Sequence, residues 1–420
     1  MTPRRRFWHV AGSGTAFQAG STAVDSATVM SALVFQLTGS AIAVGAVTTI
    51  LRLGWLLPQL FVGYFASKGA SSMRFYIVGA FGRTLAIALL ALVLWAGAAA
   101  GWSVGALGAV TLGLWALYAC LSGIVGVPYN DIVARAVPSE LRSRMLALRF
   151  FGGGLVALGV AVFADRLVRT LDFPISYAAV LCLAAILMAL SSIIFTAMGD
   201  PGRGAAVRAA SSFSAYLHEG LVTFRDDATF RRFVFAQWCG GAVLMAAPFF
   251  VVAADGLGVG FENVALLLAA HTAGALASNP RWGWCGDRRG KLSLMRGIAI
   301  ARVVPNLLLV GLFVVPFPAN GLLPLFLATF FVLGALANGL TIAVIGLLME
   351  ISPDDRRPAY SGYFNSVTAP AYLLPLLGGG VMVLFGNGAL FAIAALAAAA
   401  QSRLLSGVDI ERGSSAPTPH

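Results

Sequence analysis

Twelve runs of roughly 20 mostly apolar residues follow one another along this 420-residue chain, and no other feature limits its possible folds so severely. A run of about 20 such residues crosses a hydrocarbon core of about 30 Å as a helix. In lipid, where no water satisfies the backbone, a helix or a closed barrel is the only spanning solution. The spans fall near 11–37, 41–66, 75–98, 104–129, 145–165 and 174–198, then 233–253, 263–283, 293–316, 321–349, 359–385 and 388–405. Only 11% of the residues are charged, far below the share in a soluble domain. An all-α membrane protein with twelve transmembrane helices is predicted, with breaks in spans as rich in Gly and Pro as Ala359 to Phe385.

The net charge of +11 raises the question of nucleic acid, but the basic residues form no single patch and recur at every second connection. Arg4, Arg5 and Arg6 precede the first span, and Lys68 and Arg74 follow the second. Arg135, Arg142 and Arg144, then Arg203, Arg208, Arg225, Arg231 and Arg232, then Arg281, Arg288, Arg289, Lys291 and Arg296 continue the series. The intervening connections hold Arg166 and Arg169 beside Asp165, Asp172, Asp255 and Glu262. By the positive-inside rule both termini are cytoplasmic, in the inner or plasma membrane of a cell. Gln18 and Asp25 interrupt the first span too early for a signal peptide, so it is expected to be retained. Cys120, Cys182, Cys239 and Cys285 have no metal spacing and are expected to be packing residues; neither metal nor cofactor is implied.

The longest connection divides the chain into two six-helix halves, 1–198 and 233–405, with a linker over 199–232 and a tail over 406–420. Phe213, Tyr216, Leu217, Gly220, Leu221 and Phe224 give the linker an amphipathic helix, either on the membrane surface or packed beneath the bundle. The halves repeat. Arg83 follows Gly63 by 20 residues and Arg302 follows Gly283 by 19, while Pro138 to Arg142 matches Pro353 to Arg357 in type and position. Duplicated halves place a binding site at their interface near the bilayer midplane.

Gly283-Trp-Cys-Gly-Asp287-Arg288-Arg-Gly290-Lys291 resembles the signature of the major facilitator superfamily, at the position between spans eight and nine where that family repeats it. The resemblance implies twelve helices in two pseudo-symmetric halves and a monomer. It also implies a conformational latch in which Gly283, Asp287, Arg288, Gly290 and Lys291 meet neighbouring helix ends bearing Glu350, Arg356 and Arg357. The first-half copy keeps Gly63 and Lys68 but has Ser67 where the acid belongs. Val127-Pro-Tyr-Asn-Asp131 through Arg149 resembles the glycoside, pentoside and hexuronide cation symporters, which implies substrate binding by Asp25 and Arg149. That group's cation-binding acids are missing from Leu53 to Pro58 and at Gly126, so sodium coupling is not supported. Gly152 to Gly159 also lacks the Gly-Pro pair typical of drug and proton antiporters.

Charges at membrane depth are costly and mark candidate functional residues. Asp25 and Arg52 each lie 13 or 14 residues from the turn at Thr38 and Gly39, which puts both roughly 20 Å from that end. They are expected to pair, either as a protonatable acid controlled by Arg52 or as a structural ion pair. Arg83 and Arg302 are expected to share a structural job, and His271 to be a packing residue. Gln18, Tyr118, Gln237, Trp238, Asn338 and Asn365, with Trp115 and Asn306, are candidates to line the cavity, most as interhelical hydrogen-bonders. The expected function is secondary active transport of a small solute by alternating access, with proton coupling through Asp25. The competing readings are a receptor or assembly factor on the same fold, a drug-efflux antiporter and a membrane-embedded enzyme. Against ATP use or enzymatic chemistry, Cys285 stands where a phosphate loop needs Gly, and the spans lack paired metal ligands and a nucleophile elbow.

Overall fold

The computed structural model describes residues 2–67, 72–201, 213–351, 363–365 and 367–408. Regular structure there is helical: α1 (Pro3–Ala23), α2 (Val29–Thr38), α3 (Ala41–Ser67), α4 (Ser72–Ala99), α5 (Val104–Ala136), α6 (Ser139–Thr170) and α7 (Ile175–Thr196) form the first half. A linker helix, α8 (Phe213–Asp226), leads to α9 (Ala228–Leu244), α10 (Phe249–Gly256), α11 (Val264–Arg288), α12 (Lys291–Ala301), α13 (Val303–Val314), α14 (Ala319–Ile351) and α15 (Leu374–Ser406). Two short 3-10 segments, Phe261–Asn263 and Ala369–Leu373, precede α11 and α15. Lys68, Arg356 and Arg357 lie outside the described residues.

Several elements join into single spans, and among the described residues the total is the predicted twelve. Nine described stretches are long and apolar enough to cross a membrane by themselves, the last being Ala369–Ser406. That stretch holds two spans, because Gly386 at φ 82° breaks α15 between the predicted ends at 385 and 388. The broken pair α1 and α2 supplies another span and the polar α11 the last. Spans one and seven, which correspond in the two halves, are both interrupted, over 24–28 and 245–248.

In the first break the Asp25 carboxylate replaces the missing helical bonds. Its Oδ1 accepts from the backbone N–H of Ala27 at 3.0 Å, that of Thr28 at 2.9 Å and the Thr28 hydroxyl at 2.8 Å. A short acid satisfying the free donors at a helix start is ordinary capping chemistry.

Small residues draw the helices together within each half, as expected where lipid offers no hydrophobic drive. A Cβ on Gly54 of α3 would lie 2.5 Å from the Ala119 methyl of α5, and Gly123 faces the carbonyls of Gly54 and Trp55. The equivalent spans of the second half repeat this device, with Gly274 against the Phe331 backbone and Gly334 against that of His271.

The described contacts between the halves gather toward the end away from the chain termini. There α2 lies against α10, Phe35 meets Phe261 with ring centres 5.9 Å apart, and Arg169 donates to Asn263 at 2.9 Å. Along α3 and α15, Gly379 packs on Ala41 and Ile42, Gly45 on Pro375, and the Leu376 N–H donates to the Thr49 hydroxyl at 3.2 Å.

Candidate functional site

Two cavities lined by polar groups lie between that seam and the termini. The first, of about 410 Å³, belongs to the first half and is lined by Arg52, Arg83, Arg149, Tyr76, Tyr118 and Tyr129, together with Ser13, Ser122, Ser191 and Asn130. Among the described residues no Asp or Glu lines it.

Arg83 is 5% exposed and lies over the Phe17 ring, 4.1 Å from its centre. Its Nε has no hydrogen-bond partner among the described residues. Arg149 donates to the Tyr129 hydroxyl at 2.8 Å and stacks on Tyr129 and Phe150, and its Nε is likewise unpartnered. Gly14 gives it room, since a Cβ there would lie 2.5 Å from Cγ and Cδ of Arg149. Tyr118 stacks on Trp115, whose indole donates to the Val47 carbonyl at 2.9 Å, so Trp115 is a packing residue behind the cleft.

The second cavity, of about 780 Å³, lies between the halves. Gln18, Thr22 and Asp25 face His271, Asn279 and Asn338 across it, with Phe150 and Phe151 of α6 on one wall. Asn338 donates to the Ala275 carbonyl and to Asn279, which ties α14 to α11.

Asp25 and Arg52, expected to pair, line different cavities. The reason is the helix break: Asp25 turns inward to hold the start of α2, while Arg52 faces the Tyr372 ring of the second half. Arg83 and Arg302 also part company. Arg302, 7% exposed, reaches Gln401 at 3.4 Å and the Gly240 carbonyl at 3.5 Å. Its equivalent position in the first half offers Arg83 an aromatic face and an open cleft instead. An Arg83 left without an acceptor at Nε is the feature that the repeat concealed in the sequence.

Other candidates lie outside both cavities. Gln237 approaches the Met295 sulfur at 3.8 Å, Trp238 donates to the Val367 carbonyl at 3.1 Å, and Asn306 donates to the Arg302 carbonyl at 2.8 Å. Asn365 is exposed in a short helical piece.

The latch motif forms the turn between α11 and α12. Gly283 and Asp287 lie on the last turns of α11, and Gly290 at φ 83° makes the corner. Arg288 and Arg289 each approach the Trp284 ring. The Lys291 side chain lies across Gly286 of α11 and Gly346 of α14. At the end of α14, partial burial raises the Glu350 carboxyl above its ordinary range, and the Lys291 charge opposes that shift.

No family model and no curated protein matches the sequence. Solved structures do match over nearly the whole chain. A nucleoside transporter, NupG in a mutant form, aligns at TM-score 0.72 and 12% identity, covering 97% of this chain and 100% of its own. A D-xylose–proton symporter aligns at TM-score 0.72 and 15% identity, covering 96% and 97%. A bacterial homologue of the iron transporter ferroportin aligns at 0.70 in its inward-facing state, with 13% identity over 97% and 99%. In its outward-facing state the score is 0.63, with 14% identity over 96% and 98%. These alignments run through both halves of the twelve-span bundle: the chain has the major facilitator fold.

Proposed function

We propose that this protein is a secondary active transporter that moves a small solute across a cell membrane by alternating access. The carrying observation is the one-sided seam. The halves meet through Gly45, Gly379, Phe35 and Asn263 at one end, and the cavities lie on the other side, as one of two alternating states requires. The better alignment with an inward-facing than an outward-facing neighbour supports the same reading, with the termini cytoplasmic as the charge distribution implies.

Coupling to protons is assigned to Asp25. Its Oδ1 is engaged in the helix break, which leaves Oδ2 available to the cavity shared with His271. Protonation there would alter the charge between α1 and α11, elements of opposite halves, and so bias their separation. The Gly283–Lys291 turn with Glu350 is assigned the latch on the cytoplasmic side.

The test is counterflow in proteoliposomes of a solute found by thermal-shift screening, with imposed pH gradients of both signs. Saturable exchange that responds to the gradient is expected. Binding without flux would favour a receptor, and chemical conversion of the solute an enzyme; either defeats the transporter reading.

A further inference from the structure

The first-half cleft brings together three guanidinium groups with no carboxylate among its described lining residues. Elsewhere Arg135 pairs with Asp131 at 2.6 Å and Asp200 at 3.4 Å, Arg169 pairs with Asp165 at 3.0 Å, and Arg296 donates twice to the Leu405 carbonyl, while Arg288 and Arg289 approach the Trp284 ring. In the cleft Arg83 lies over the Phe17 ring and Arg149 donates to the Tyr129 hydroxyl, and guanidinium charges that share one cleft repel one another.

Independently of charge, Arg83 Nε and Arg149 Nε are buried without a hydrogen-bond partner among the described residues, and both residues line this cavity. Buried donors without acceptors are uncommon in a finished interior and mark a place that something else completes. A guanidinium fork matches the paired oxygens of a carboxylate or phosphate, and the surrounding tyrosine and serine hydroxyls can donate to the rest.

The position and enclosure of the cleft bear on the source of such an anion. Arg83 is the twelfth residue of α4 and Arg149 the eleventh of α6, both helices starting at the termini end. At 1.5 Å per residue each lies about 15 Å along its helix from that end, and Arg149 is the second residue of the apolar stretch Leu148–Thr170. Spans of the first half enclose the cleft, and about 410 Å³ suits a small solute.

We propose that this cleft is the substrate site and that the substrate is a small soluble anion bearing a carboxylate or a phosphate, bound by Arg83, Arg149 and Arg52. Calling the anion a substrate rests on the transporter reading; its binding does not.

The test uses the full-length protein in nanodiscs of phosphatidylcholine at fixed ionic strength. Unfolding midpoints are compared with inorganic phosphate, glycerol 3-phosphate, succinate and citrate, against glycerol, glucose and choline. At least one anion should raise the midpoint, with apparent affinity weakened about tenfold or more in R52Q and R149Q and unchanged in R225Q. Arg52 is exposed, so R52Q keeps the test open if a deeper variant fails to fold. R149K, which keeps the charge and loses the fork, should fall between R149Q and the native protein.

The proposal is overturned if none of the anions raises the midpoint, if glycerol or choline does so equally, or if the shift survives both Gln variants. It is also overturned if only phosphatidylglycerol in the disc stabilises, since that assigns the arginines to lipid. Counterflow then separates the two readings. Anion binding sensitive to these variants but without flux sinks the transporter and leaves the site standing. Flux of a neutral solute indifferent to them does the reverse.

Discussion

The guanidinium carbon of Arg52 lies 5.9 Å from the centre of the Tyr372 ring, which joins the arginine cleft of the first half to the 3-10 turn that opens α15 in the second. A cation over an aromatic face contributes about 0.5–2 kcal/mol, depending on how dry the site is. Tyr372→Leu should therefore leave the unfolding midpoint nearly unchanged while shifting the balance of states by roughly 2- to 30-fold away from this one. Spin-label distances across the termini end of the bundle would report it. An unchanged distance distribution would remove any role for this contact in setting the balance.

Gly45 faces the Pro375 carbonyl at the seam, where no Cβ fits. Overpacking costs about 1–3 kcal/mol in a dense interior, here charged only to the state in which the seam is shut. Gly45→Val should disfavour that state and slow exchange by about tenfold or more. Normal counterflow in this variant would mean that the seam is softer than its geometry implies.

Asp25 separates two roles through a pair of substitutions. Asp25→Asn keeps an oxygen able to accept from Ala27 and Thr28, so stability should hold within a few tenths of a kcal/mol while the response to a pH gradient disappears. Asp25→Ala loses the cap as well, at about 1 kcal/mol. If uptake by Asp25→Asn still tracks the gradient, the proton is carried elsewhere.

Gly290 turns the chain between α11 and α12 at φ 83° and ψ 155°, a conformation essentially restricted to glycine. Gly290→Ala should cost about 1–3 kcal/mol of stability or distort the latch turn. A midpoint equal to that of the native protein would show that the turn relaxes freely.

The spans were legible because lipid forces the backbone to bond to itself, so length and hydropathy alone fix them; even the division at Gly386 could be read from where the apolar runs stop. What counting could not supply was direction around the helix. Asp25 and Arg52 sit at similar heights, but each residue turns a helix by about 100°, and the break before Val29 turns Asp25 again. Equal depth did not make them partners. The repeat misled at Arg83 for a related reason. Duplication preserves a position, not its neighbours: Gln401 stands beside Arg302, whereas Phe17 stands beside Arg83.

Every described residue that lines the arginine cleft precedes Ala197, and none comes from the other lobe. A cargo seated there would ride on a single arm, recognised in full before the opposite arm swings. Selectivity and speed would then be separable traits, the former written in the first six spans and the latter in the seam that both halves build.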